Sequence, residues 1–186
     1  SDQGVSIGFT LLAPAAEDSD NLRVLGAIEY QPLFVIYRKA LGPNLTVEEL
    51  RGRHIAMPPE NSVTVQLTMP VFEALNINSA NSRISFMPLS AQLEALKAGA
   101  VDVAAFMVRE DAPVVKELLR RGDLQLASFP QARAVAVQFK HLRSVTLPAA
   151  ALDLGGAIKK RFTADIGLLR RSEQGASCCA RPYTHA

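Results

Sequence analysis

The chain is 186 residues long, 48% hydrophobic and 20% charged, the make-up of a folded unit with one sizeable core or two small ones, which excludes disorder throughout. Its formal net charge of +2 comes from Lys and Arg residues spread along the chain, and aromatics make up 6% with no Trp. With no dense basic block, RNA-recognition signature or zinc-finger spacing, no nucleic-acid partner is expected.

No apolar run approaches the roughly 20 residues of a membrane span. The chain opens Ser1-Asp2-Gln3-Gly4 without an initiator Met, so the expectation is a soluble excised piece or processed product. Cys178 and Cys179 are adjacent and make a poor structural disulfide, because neighbouring residues cannot reach the required geometry unstrained.

Val5 to Phe9 alternates small or polar with apolar residues and reads as a strand. Leu22 to Ile28 and Leu33 to Tyr37 are two further strands around Glu29-Tyr30-Gln31-Pro32. Asn44 to Leu50 is a short helical turn that Asn44 or Thr46 can cap, with Glu48 and Glu49 suited to its positive end. Ile55 to Met57 is a short apolar strand running into a polar, Pro-containing turn, and Ser62 is the N-cap of the helix that follows. The turn from Pro59 to Thr64 is therefore a cradle for a small anion: unpaired backbone N–H groups, a partial positive charge and two hydroxyls. In that helix Val63, Leu67, Val71 and Leu75 form one apolar stripe, while Pro70 predicts a kink or a break into two pieces, at roughly 3 kcal/mol if the backbone cannot adjust.

Arg83 to Met87 is the next strand, Ser90 caps a helix with Leu93 and Leu96 inward, and Gly99 ends it. Val101 to Met107 follows as a buried strand, so strand, helix and strand form a right-handed crossover between parallel strands. Asp102 is expected to fix that strand's start. Asp111 or Ala112, with Pro113 at the first turn, opens a helix from Val114 to Arg121 that Gly122 closes; then come a strand from Leu124 to Phe129, a helix from Pro130 to about His141, and a strand from Ser144 to Leu147. The series is α/β throughout.

Nothing here gathers catalytic groups. His54, His141 and His185 lie in unlike contexts, and no HExxH, GxSxG or Walker motif is present. The chain is thus not expected to be an enzyme, and no metal or cofactor is implied. Binding fits better, because in open α/β sheets ligands settle outside the carboxyl ends of the strands. That nominates Phe9 and Thr10, the Tyr30 region, Asn61, Ser62, Val63 and Thr64, and Phe106-Met107 with Arg109 beyond, the last suited to a carboxylate.

Several stretches in collinear order resemble the TAXI family of periplasmic solute receptors, the binding subunits of TRAP-type secondary transporters. They are Val5 to Phe9; Leu22 to Leu25 leading to Tyr30-Gln31-Pro32; Leu50-Arg51-Gly52-Arg53; Leu93 to Ala104; Leu126 to Ala132; His141-Leu142; Val145 to Pro148; and Leu152-Asp153-Leu154. The resemblance spans about Val5 to Leu169. It implies a type II periplasmic-binding-protein-like α/β fold, two lobes with mainly parallel sheets, with lobe one incomplete for want of its first β-α-β portion. Residues 1–44 would be partial lobe one and hinge strands, 45–160 lobe two, and 161–186 a return segment and irregular tail. Tyr30 would lie at the hinge cleft.

The function so implied is capture of a small organic anion, a carboxylate above all, and its delivery by lobe closure to TRAP membrane permease subunits. The location would be periplasmic or extracytoplasmic, with a membrane anchor in the full-length protein as one form. The competing class is the ligand-sensing effector domain of a LysR-like transcription regulator, which shares the two-lobe fold. Three departures stand out: Pro58 and Val63 occupy the Gly positions of a turn similar to Gly-x-x-x-Ser-Gly-Thr; no Gly follows Pro148; and from Arg170 the tail has no family-like apolar strand.

Overall fold

The computed structural model describes residues 31–139, 142–146 and 167–168. Five strands form one sheet: β1 (Leu33–Arg38), β2 (His54–Met57), β3 (Arg83–Phe86), β4 (Val103–Met107) and β5 (Leu124–Leu126), in the spatial order β3-β2-β4-β1-β5. β2 is parallel to β3 and β4, whereas β1 is antiparallel to β4 and β5. Four strands therefore point one way and β1 runs against them. The fold is mixed α/β with mostly parallel strands, as expected from the strand and helix alternation. Leu33 to Tyr37, grouped on sequence with the hinge strands, is hydrogen-bonded into the interior of this sheet.

Four helices cover the sheet: α1 (Val63–Ala74), α2 (Leu89–Ala98), α3 (Pro113–Arg120) and α4 (Ala132–Gln138). Because side chains alternate along a strand, β1 sends Leu33, Val35 and Tyr37 into a core with Val71 and Phe72 of α1 and Val135 of α4. Its Phe34 and Ile36 enter a second core with Leu93 and Leu96 of α2 and Val115 and Leu118 of α3. A strand buried on both faces reads as a continuous apolar run, which is what Leu33 to Tyr37 is. Beyond the sheet, β6 (Leu142–Arg143) pairs antiparallel with β7 (Gly167–Leu168).

Several local expectations are met. Ser62 has extended backbone and accepts from the Val65 N–H at 3.3 Å, so it is the N-cap of α1. Gly99 and Gly122 end α2 and α3 with φ of +76° and +78°, the left-handed values that favour glycine. Thr46 donates both its N–H and its hydroxyl to Glu49, at 2.7 and 2.9 Å, where a 3-10 turn covers Glu48–Leu50.

Others change. α1 is one helix through Pro70, not two. Pro70 and Gln66 both lie on its exposed face, where water can serve the Gln66 carbonyl that loses its N–H partner. The buried stripe of α1 is Val65, Leu67, Val71 and Phe72, with Val63 only half-buried. α2 is capped by Pro88 instead of Ser90. β5 ends at Leu126 and α4 starts at Ala132, and between them Ser128 bridges to Thr46. Residues 144–146, expected to be strand, follow β6 outside any strand. The strands expected at Val5 to Phe9 and Leu22 to Ile28 lie outside the described residues.

Candidate functional site

The sheet has a point where chain connections diverge. From β2 the chain passes through α1 to β3 on one side, and from β4 it passes through α3 towards β5 on the other. α1 and α3 lie on opposite faces, as their separate cores show. β2 and β4 are hydrogen-bonded neighbours, with Ile55 opposite Val103 and Ala56 opposite Ala104. The two strands run about 4.8 Å apart, and their carboxyl ends, with β4 reaching two residues further than β2, open towards the crevice where open α/β sheets take ligands.

On the β2 side, the chain leaves Met57 through Pro58 and Pro59 and turns, with Ser62 N–H donating to the Pro59 carbonyl at 2.8 Å. Met87 N–H donates to the Met57 carbonyl at 2.9 Å, which holds the β3 end beside this turn. Gln92, fully buried, in turn donates from Nε2 to the Met87 carbonyl at 2.9 Å. Asn61 is exposed at the tip, and Ser62, Val63 and Thr64 are half-buried. The first N–H to bond within the helix frame is that of Gln66, to Ser62 at 3.1 Å. Among the described residues, the Val63 and Thr64 N–H groups have no acceptor, as expected of a helix's first turn.

On the β4 side lies an open depression of about 620 Å³. Met107, Val108, Ala112 and Pro113 give it apolar walls, and Gln31, Arg109 and Asp111 are its polar lining. Arg109 donates from Nε to Asp111 Oδ1 at 3.0 Å and from Nη2 to Oδ2 at 3.2 Å. Both side chains are largely exposed, 63% and 60%. Ala112 N–H donates to the Arg109 carbonyl at 3.1 Å, and Pro113 then starts α3 with no side-chain cap.

The structure thus brings Asn61, Ser62, Val63, Thr64 and Arg109 to the carboxyl end of the sheet. Phe106 is placed otherwise. Only 1% exposed, it packs in the sheet core with its ring 6.2 Å from that of Phe34, so its side chain faces helices instead of the loops. Phe9, Thr10 and Tyr30 lie outside the described residues. Of the depression's lining, Met107 and the neighbourhood of Tyr30 were nominated on sequence, whereas Val108, Asp111, Ala112 and Pro113 were not singled out as ligand contacts. The available signal for Asp111 was an acid two residues after Arg109 in the loop beyond a strand. Among the described residues no three His, Cys, Asp or Glu side chains gather as a metal-ligand set.

No curated protein matches the sequence closely enough to count as a relative. Solved structures similar to parts of the chain include several binding proteins. The periplasmic aliphatic sulphonate binding protein SsuA from Escherichia coli is 17% identical with a TM-score of 0.42, over 51% of this chain and 31% of that one. The alkanesulfonate-binding protein SsuA from Xanthomonas axonopodis pv. citri, bound to MOPS, is 18% identical with a TM-score of 0.43, over 55% and 35%. AbpA from Streptococcus pneumoniae, an amino acid ABC transporter substrate-binding protein bound to L-arginine, is 19% identical with a TM-score of 0.39, over 54% and 38%. The chain spans roughly a third of the length of these proteins. Residues 12–154 match the NMT1-like family, and with most of its length so matched this chain belongs to the NMT1-like family.

Proposed function

We propose that this chain supplies one wall of the ligand cleft of an extracytoplasmic solute receptor, and that the ligand is a small organic anion carrying a carboxylate. The observation that carries the reading is the pairing of two loops at the carboxyl ends of the neighbouring parallel strands β2 and β4, with helices on opposite faces. One loop offers the Val63 and Thr64 N–H groups and the hydroxyls of Ser62 and Thr64 at the positive end of α1, and the other offers Arg109 beside an apolar wall. Hydroxyls, amides and a guanidinium without a gathered nucleophile and base suit capture and release, not bond breaking.

In this reading Asn61, Ser62, Val63, Thr64 and Arg109 meet the ligand in a lobe formed by residues 45–160, and Phe106 supports the loop from beneath. Residues 1–44 bring Phe9, Thr10 and Tyr30 as the opposing side and the hinge, with β1 as the strand by which the chain crosses into this lobe. Residues 161–186 are the return segment and tail. Closure of two lobes on the anion presents it to its transporter, and by the resemblance to the TAXI family that partner is a TRAP-type membrane permease, with the receptor periplasmic or extracytoplasmic and free or membrane-anchored. The test is native mass spectrometry for a retained small carboxylate, followed by thermal-shift measurement with a panel of organic anions. A retained carboxylate, or stabilisation rising with anion concentration, is the expected result; no retained ligand and no shift with any anion would end the receptor reading.

A further inference from the structure

We propose that Asp111 is a built-in competitor for the ligand: in the unliganded chain it occupies the guanidinium fork of Arg109 that an incoming carboxylate takes over. The inference rests on the anion-receptor reading above and names a residue that sets affinity within that site. The two contacts, Nε to Oδ1 at 3.0 Å and Nη2 to Oδ2 at 3.2 Å, are the two-point arrangement by which a guanidinium binds any carboxylate. Both residues line the same open depression, so the surface that would receive a ligand's carboxylate is already holding one.

Two features make the exchange easy to reverse. First, the pair is largely exposed on both sides, 63% and 60%, and pairs held in water change an equilibrium by no more than about five-fold. Secondly, Asp111 has a second favourable place. It immediately precedes α3, whose N-cap Ala112 supplies no side-chain hydrogen bond, and a carboxylate displaced from Arg109 remains near that helix's positive end. The backbone between the charges is fixed by the Ala112 N–H to Arg109 carbonyl bond and by Pro113, so Asp111 stays within reach and recloses on Arg109 when the ligand leaves. The net charge of the site is unchanged by Asp111's movement. A neutral ligand offers the fork no opposite charge and leaves the pair closed, whereas a carboxylate with a short apolar tail satisfies the fork and the wall of Met107, Val108, Ala112 and Pro113 together.

The test is an NMR titration of the 186-residue chain with butyrate, following the Arg109 Nε–H resonance, in the native sequence, Asp111→Asn and Arg109→Gln. Asp111→Asn removes the competing charge at an exposed position, so butyrate should bind about three- to five-fold tighter, and Arg109→Gln should abolish the response. Butyrate binding that is unchanged or weakened in Asp111→Asn overturns the inference while leaving the receptor reading standing. If neither butyrate nor any anion of the thermal-shift panel binds the native chain or Asp111→Asn, the receptor reading fails and the inference with it.

Discussion

The two ends of the five-stranded sheet carry the same chemistry in opposite settings. At the amino ends of β2 and β4, Arg38 pairs with Asp102, whose side chains are only 32% and 23% exposed. Asp102 Oδ2 also accepts the His54 N–H at 3.2 Å, and backbone bonds run from Arg38 to Asp102 and from Asp102 to His54. One carboxylate therefore ties three strands together. At the carboxyl ends, Arg109 and Asp111 pair within one loop and are nearly two-thirds exposed. The difference teaches where this fold keeps its stability and where it keeps its freedom: a partly buried pair across strands is costly to break, whereas an exposed local pair can be opened at little cost.

The largest expected effect lies between the two ends. Phe106→Ala empties space in the second core and should destabilise the chain by about 3–5 kcal/mol, read by chemical denaturation. Its effect on ligand affinity should be slight in protein that remains folded. A selective loss of binding with stability intact would return Phe106 to the ligand site.

Next comes the direct contrast of the two aspartates. Asp102→Ala leaves Arg38 and the His54 N–H without their acceptor and should cost about 2–3 kcal/mol. Asp111→Ala should stay within about 0.5 kcal/mol of the native chain. Equal losses in the two variants would erase the distinction between a structural and a spare end.

The same contrast has a pH signature. Burial pushes the Asp102 carboxyl up, but hydrogen bonds from the Arg38 guanidinium and the His54 N–H, with the charges of Arg38 and Arg53, outweigh it and hold the carboxyl below its ordinary value. A carboxyl with a lowered folded pKa adds stability above its unfolded value, about 3.9, and loses that contribution as pH falls through the folded one. Stability of the native chain should therefore drop as pH falls below about 4, and Asp102→Asn should flatten that limb of the curve. An identical acid limb in Asp102→Asn would remove Asp102 from the account. A smaller effect is expected at the α1 cap: Ser62→Ala should cost about 1 kcal/mol in denaturation and also weaken anion binding, the second part separating cap from contact.

How legible this was in the sequence depended on whether the cause was local. The Ser62 cap, the Gly99 and Gly122 stops and the Pro113 start are set by the conformational preferences of single residues, and they stand in the structure where the residues do. Asp102 was read as fixing a strand start, and it does so through His54 and Arg38, 48 and 64 residues away. Pro70 misled because its cost depends on exposure: it and Gln66 lie on the solvent face of α1, where the carbonyl that loses its N–H partner is open to water, and the helix is continuous. The place of β1 in the sheet was not legible, since an apolar run says that both faces are covered but not by which strands. Ser62, Thr64 and Arg109 came from the rule about carboxyl ends of strands. Asp111 was read only as a candidate cap of α3, because exposed acids are common and the same fork joins Arg121 to Asp123; what sets Asp111 apart is its place in the depression beyond β4.

The most direct test of the central claim is residue-resolved NMR of the 186-residue chain during titration with the organic anion that gives the largest thermal shift. Ligand capture between the β2 and β4 loops predicts saturable perturbation of the Asn61 to Thr64 amides and of the Met107 to Ala112 amides, with Arg38, His54 and Asp102 unmoved. Perturbation centred on Arg38, His54 and Asp102, or saturable binding that leaves both loops unmoved, would contradict it.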